Sequence, residues 1–281
     1  MPEWKNKRIG IVLSGGGAKG TYQAGMFEAL EKLGLKENIK VLSGCSAGAM
    51  NAAIYSCLGY EAISEGTLKI GDTFKNRALQ KERTIRESRR MVDEGRVSLE
   101  EFLSGERFYK FDTSDFDALM GSYLKKEQMS ALKHRIHICC YNIERQRPEY
   151  FCLNELPCSQ QLKLIKASGS LPFLFPAVEH QGCHYLDGGV APSICKNPAP
   201  ADKVPLLPLK AEELDAVLVC FLKPEDKVDR SLISDKIDYL ELRPSEPLEK
   251  LPGAGTLDFS PESLEHHRKL GYSDTMKLFG K

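Results

Sequence analysis

Nowhere does this 281-residue chain offer the roughly 20 consecutive apolar residues that a membrane-spanning helix needs. Its first apolar stretch, Ile9 to Leu13, gives way to glycines and is far too short for a signal-peptide core, so it reads as the start of a strand. Surplus charge is lacking too, since 39 Lys and Arg balance 39 Asp and Glu. No global field draws the chain to nucleic acid or an anionic bilayer, and any peripheral membrane contact must be local. Among nine cysteines there is no Cys-x-x-Cys pair, which argues against a structural zinc site; their odd number and scatter argue against a disulfide framework. They read as reduced thiols of a cytoplasmic protein. Internal repeats and low-complexity segments are absent, and the length suits a single domain, 1–281, built on one sizeable core with an insertion.

What is present is an alternation of short strands and helices. Arg8 to Leu13 is a buried-strand pattern, followed by Tyr22, Met26, Leu30 and Leu33 at helical spacing and Gly34 at a helix end. Ile39 to Leu42 and the small-residue run "SGCSAGAMNAAIYSCLG" repeat the unit, and two such units in succession make their strands parallel. From about Glu61 to Leu132 strand signals vanish, which predicts an inserted helical cap, with Ser98 and Glu101 as a capping box. Within it "FKNRALQKERTIRESRR", 74–90, carries seven basic residues against Glu82 and Glu87. That run is read first as a solvated helix face, and alternatively as a patch for phosphate head groups. "RIHICCYNI" and "PEYFCL" predict an antiparallel hairpin, "SQQLKLIKASGS" a helix, and "LPFLFP" a segment held extended by its prolines. "DAVLVCFL" and "IDYLEL" are further strands, and the tail from Ser260 is a helix.

Two glycine-rich turns carry the chemistry. Gly15, Gly17 and Gly20 satisfy the G-x-G-x-x-G pattern of a dinucleotide-binding turn, so a nucleotide-binding oxidoreductase is one reading. A P-loop is excluded because Lys19 precedes Gly20 instead of following it. The dinucleotide reading also demands an acidic residue at the end of the next strand, and there the sequence has Gly44-Cys45-Ser46-Ala47-Gly48 instead. That is the G-x-S-x-G of a nucleophile elbow in its strand-turn-helix setting. Attack by Ser46 on an ester leaves negative charge on oxygen, and "GGGAKG", whose glycines leave backbone N–H groups unobstructed ahead of a helix, is then better read as an oxyanion hole. None of the six histidines, at 134, 137, 180, 184, 266 and 267, sits in an evident strained turn. Asp187 does precede Gly188 and Gly189 at a strand end, either as a plain Asp-Gly turn or as a carboxylate reaching across the sheet. Cys45 reads as packing, and Lys19 either orients a phosphate or anchors the loop by an ion pair.

With "GGGAKG", "GCSAG", "ASGSLPFLFP" and "DGG" in this order, the sequence resembles the patatin-like phospholipase family. The resemblance implies a three-layer α/β/α fold with a mostly parallel sheet. It also implies a Ser-Asp dyad without histidine, Ser46 as nucleophile, Asp187 as base and Gly15, Gly16, Gly17 and Ala18 as oxyanion donors, and hydrolysis of acyl esters of phospholipids or related lipids without a cofactor. A lipid-binding module that has kept the fold but not the activity is the remaining alternative. An ordinary Asp, with a pKa near 3.9, is a weak base for a hydroxyl, so an apolar environment, including "LPFLFP", is expected to raise it, while the helix from Ala47 stabilises charge at the serine. One departure stands out. Where the family commonly has Asn-x-Pro soon after its Asp-Gly-Gly, "VAPSICKNPAPADKVP" intervenes and Lys203 takes the place of asparagine.

Overall fold

A computed structural model describes residues 4–74, 87–104, 114–249 and 255–280. Most of the basic run 74–90 lies outside the described residues. β1 (Ile9–Leu13) is buried along its whole length and leads through a 3-10 turn, Gly17–Gly20, into α1 (Thr21–Lys32). β2 (Ile39–Cys45) and α2 (Ala47–Leu58) repeat that unit. Between them and the next strand come α3 (Tyr60–Phe74), a helical segment at 87–93, α4 (Leu99–Ser104), α5 (Ser114–Tyr123) and α6 (Lys126–Met129). At the start of α4, Ser98 and Glu101 close a capping box: the Glu101 N–H donates to Ser98 Oγ at 3.1 Å and the Ser98 N–H to Glu101 Oε2 at 2.9 Å. α3 does not stand apart as a cap, because it packs on α1, α2 and α5 and so widens the helical layer.

The second half supplies β3 (Arg135–Asn142), β4 (Arg147–Cys152), α7 (Cys158–Ser168), β5 (Val178–His180), β6 (Cys183–Asp187), β7 (Ala216–Cys220), β8 (Asp238–Leu242) and α8 (Pro261–Leu278). All eight strands join one mostly parallel sheet in the order β5-β6-β3-β2-β1-β7-β8, with β4 also paired to β3. Alternation along β1 sets the layers. Ile11 and Leu13 join α1, α2 and α7 residues in the larger core, whereas Val12 points to the other face with Val41, Val217 and Val219. That second face is covered by short 3-10 helices, Leu207–Ala211 and Arg230–Leu232, instead of long α-helices. The arrangement is three-layered α/β/α, with its helical weight on one side. β5 and β6 are joined by Gln181 and Gly182, both at positive φ (51° and 77°), the backbone a two-residue type I′ hairpin requires.

"LPFLFP" is not extended. Leu171 C=O accepts from the N–H groups of Leu174 and Phe175, and Phe173 adopts φ 68°. Pro172 restricts only Leu171 before it and fixes its own φ near the value for the second residue of a turn, so the proline starts the turn instead of straightening the chain.

Candidate active site

β3 organises the site. β4 runs along one edge of it from His137 to Asn142, so β2 and β6 must share the other edge. β2 is parallel to β3 and ends with Cys45 opposite Cys139; β6 is antiparallel and ends with Asp187 opposite Cys140. The two strands therefore meet tip to tip, and residues 142 positions apart, Cys45 and Asp187, come into contact (Sγ to Oδ1 3.8 Å). Ser46 is the next residue along.

Ser46 has φ 55° and ψ −125°, a conformation that costs a non-glycine residue of order 1–3 kcal/mol and persists only where neighbours enforce it. The flanking glycines permit it. A Cβ on Gly44 would lie 2.4 Å from Gly48 O, and one on Gly48 would lie 2.2 Å from Leu13 O. The elbow is thus wedged against β1.

A short segment that motif reading left without a role holds both the elbow and the Asp187 strand end. The Ser46 N–H donates to Ser168 Oγ (2.9 Å), and Ser168 Oγ donates to Cys139 O (2.7 Å). Two residues on, Ser170 O accepts the Asp187 N–H at 2.9 Å. Ser168→Ala leaves a buried N–H and a buried C=O unpaired, each costing about 1–3 kcal/mol. We expect kcat on an acyl ester to fall about 10- to 100-fold with KM changed less than about threefold; an unchanged kcat would show that this serine does not fix the elbow.

Asp187 is 1% exposed. Its Oδ1 accepts from the Gly189 N–H (2.8 Å) and the Cys45 thiol, while buried Oδ2 makes no hydrogen bond of ordinary geometry among the described residues. Burial drives the carboxyl up to a pKa of about 6, against the opposing pull of the nearby Ser46 hydroxyl, the Gly189 N–H and Cys45. Burial also pushes the Cys45 thiol well above its ordinary range, which keeps it a hydrogen-bond donor and not a nucleophile.

The glycine loop differs from the expectation in one member. The Gly15 N–H donates to Lys203 O at 3.0 Å, so it is not available to an oxyanion. The N–H groups of Gly16, Gly17 and Ala18 have no hydrogen-bond partner among the described residues, and Gly16 and Gly17 line the cavity beside Ser46 whereas Ala18 does not. Sequence reasoning also missed the loop's buried anchors. Gln23 donates to Ser14 O, and Asn51 donates to Gly20 O and to Gln23 Oε1. Their only trace in the sequence is an amide set among small and apolar neighbours on each of two helices. Lys19 is buried and paired with Glu249 at 3.1 Å, and burial lowers its pKa. Gly188 O accepts from Asp202 N–H, which ties the Asp-Gly-Gly turn to the inserted segment ending at Lys203.

Buried His267 bonds the backbone of Ala18 in the glycine loop, and three other histidines have their partners elsewhere. His184 Nδ1 lies 2.6 Å from Glu144, His137 Nε2 2.7 Å from Glu212, and His180 packs edge-on against Phe151. Two cavities meet at Ser46 instead. One, of about 90 Å³, is apolar and runs past Met50, Ile54, Ile70, Leu174 and Phe259; the other, of about 210 Å³, is lined by Lys19, Lys203, Lys223, Asp187 and the glycine loop.

All nine cysteines are free thiols, and no helix among the described residues is long and apolar enough to cross a membrane. At the end of β2, where a ribose-binding acid would stand, the chain has Cys45 and Ser46. A 50-residue stretch, 18% of this chain and 3% of the other, is 44% identical to lysophospholipase nte1 of Aspergillus terreus. Among solved structures, VipD from Legionella pneumophila is 17% identical with a TM-score of 0.47, covering 96% of this chain and 66% of that one. Human GIVD cytosolic phospholipase A2 is 14% identical with a TM-score of 0.46, covering 98% of this chain and 59% of that one. The family model for patatin-like phospholipase matches residues 11–201, from the first strand through the glycine loop and elbow to the Asp-Gly-Gly turn and beyond, and the chain belongs to that family.

Proposed function

We propose that the chain is a lipid acyl hydrolase that cleaves carboxylic esters through a Ser46–Asp187 dyad. The observation that carries this reading is the meeting of β2 and β6 on one edge of β3, which sets a strained, nearly buried serine beside a buried carboxyl. An apolar cavity ending at that serine suits an acyl chain.

The chemistry follows from the placement. A carboxylate raised to about 6 is a better proton acceptor than an ordinary Asp and is still ionised at neutral pH. It takes the Ser46 proton as Oγ attacks the ester carbon. Negative charge then develops on the carbonyl oxygen, and the open N–H groups of Gly16 and Gly17, at the start of a helical turn, are the candidate donors to it. The start of α2 adds a favourable dipole at the nucleophile. Asp187 returns its proton to the leaving alcohol, and the acyl-enzyme is released when water attacks by the same route, Asp187 serving as base again.

The test is labelling with a fluorophosphonate, followed by mass spectrometry of the digested protein. One adduct, at Ser46, is expected, with loss of ester hydrolysis in proportion. An adduct elsewhere, or hydrolysis that survives complete labelling of Ser46, would sink the assignment.

A further inference from the structure

Three consecutive residues of the glycine loop are gripped by residues that lie beyond the family match, which stops at 201. Against Gly17 stands the backbone of Thr256, whose O would be 2.2 Å from a Cβ at that position. Lys19 is paired with Glu249 at 3.1 Å. Between them Ala18 meets His267, a residue of α8 that is 2% exposed. His267 lines neither cavity at Ser46, so it reaches the chemistry only through the loop.

The imidazole bonds the backbone of Leu248 and of Ala18, and both bonds favour the protonated ring, so the backbone groups are accepting carbonyls. Burial outweighs them and holds the pKa below the usual histidine range, which leaves a neutral ring with one N–H to give at neutral pH. Ala18 C=O shares its peptide unit with the Lys19 N–H, which donates to Gly16 O at 3.3 Å. Gly16 C=O in turn shares its peptide unit with the Gly17 N–H, one of the open donors beside Ser46. The imidazole and that N–H are thus the two ends of one hydrogen-bonded line of two peptides. Each donor that enters such a line polarises the next bond in it, so a donor at Ala18 C=O strengthens and steadies the N–H at the far end.

We propose that His267 is a positioning residue for the oxyanion hole, acting through Ala18 and Gly16 on the Gly17 N–H, so that a dyad free of histidine still relies on one at a distance. The role rests on the hydrolase reading above. In the free protein Nδ1 has no partner of ordinary geometry among the described residues, and Nε2 faces Ser263 Oγ at 3.5 Å. Negative charge at the Gly17 end draws the line taut, as hydrogen bonds that serve a transition state commonly tighten only when it forms. The contribution therefore falls on kcat and spares KM. Thr21 Oγ1 gives the same Ala18 carbonyl a further donor at 3.1 Å, which keeps the loop in place when the imidazole is replaced.

The experiment compares hydrolysis of 4-nitrophenyl butyrate by the unaltered protein, His267→Phe and His267→Leu, a larger and a smaller apolar replacement without the N–H, each rate being divided by the folded fraction from thermal melting. Outright removal of an oxyanion donor costs about 10²–10³ in kcat, and a donor left in place but unsupported should cost less, about 10- to 100-fold, with KM changed less than about threefold. Butaneboronic acid, whose tetrahedral adduct on Ser46 carries the oxyanion's charge, should bind more weakly by the same factor. His267→Gln keeps an amide N–H and should stay within about threefold of the unaltered protein. Phe279→Leu loosens α8 against Trp4, about 18 Å along the helix from His267, and should leave kcat within about twofold. Full kcat in a folded apolar variant, a loss that falls on KM, boronate affinity that does not follow kcat, or an equal loss in His267→Gln overturns the role and leaves the hydrolase intact. If neither apolar variant folds, His267→Gln decides alone: kcat within about threefold upholds the role and a larger loss overturns it. No hydrolysis by the unaltered protein, with no fluorophosphonate adduct at Ser46, overturns both readings.

Discussion

Ser46→Ala and Asp187→Asn are each expected to lower kcat by about 10³-fold or more, because a nucleophile and its base act as a unit and removal of either abolishes the covalent step. His180→Ala and His184→Ala should stay within about tenfold, on the order of 1.4 kcal/mol, which repacking accounts for. The contrast has a geometric basis. His184 is held by Glu144 and lies three residues before Asp187 on β6, hence on the opposite face of the strand. His180 is enclosed against Phe151 and Tyr185. Steady-state kinetics on a soluble ester, with each variant shown to be folded by thermal melting, decides the matter. A histidine variant that fell as far as Ser46→Ala would replace the dyad with a triad.

Asp187→Asn should also make the protein more stable, and increasingly so as pH rises. The carboxyl has a folded-state pKa of about 6 against an ordinary 3.8, so between these values the folded protein binds more protons than the unfolded chain. Stability is therefore lost as pH climbs through that window, and the full cost, on the order of 3 kcal/mol at about 1.4 kcal/mol per unit, is present above it. Asparagine carries no such charge. Melting temperatures of the two proteins should be close at pH 4 and diverge in favour of the variant up to about pH 7. The same titration governs catalysis, where the sign is reversed: only the ionised form accepts a proton, so kcat/KM should rise with pH through an inflection near 6. An inflection near 4, with melting curves that stay parallel across pH, would show that burial does not perturb this group.

Much of the fold was legible because it is written in local patterns. The buried runs at 9–13 and 216–220, the capping box at Ser98 and the hairpin of β3 and β4 each follow from periodicity or from two residues at fixed spacing. The elbow was legible for the same reason, since Gly44 and Gly48 mark a turn that only small neighbours permit. What the sequence hid depends on distant partners. Gly15 looked like an oxyanion donor until Lys203, which follows an insertion, was seen to accept its N–H. Ser168 looked like the end of a helix, and its bond to the Ser46 N–H joins residues 122 positions apart. "LPFLFP" was misread because the proline rule constrains the residue before each proline and leaves Phe173 and Leu174 free to turn.

The tip-to-tip meeting of β2 and β6 makes the active site a late product of folding. Neither strand supplies the geometry alone. Each must first find its own half of the β3 edge, and the β6 pairing brings together residues more than forty positions apart, at a loop-closure cost that local helices and hairpins do not carry. A slip of one residue in that pairing would turn Asp187 to the far face and carry it about 3.3 Å along the strand, leaving a sheet nearly as well hydrogen-bonded but chemically inert. Compactness and helical content can thus return while the enzyme is still silent, and hydrolysis reports a correctly registered sheet more stringently than any bulk measure of structure.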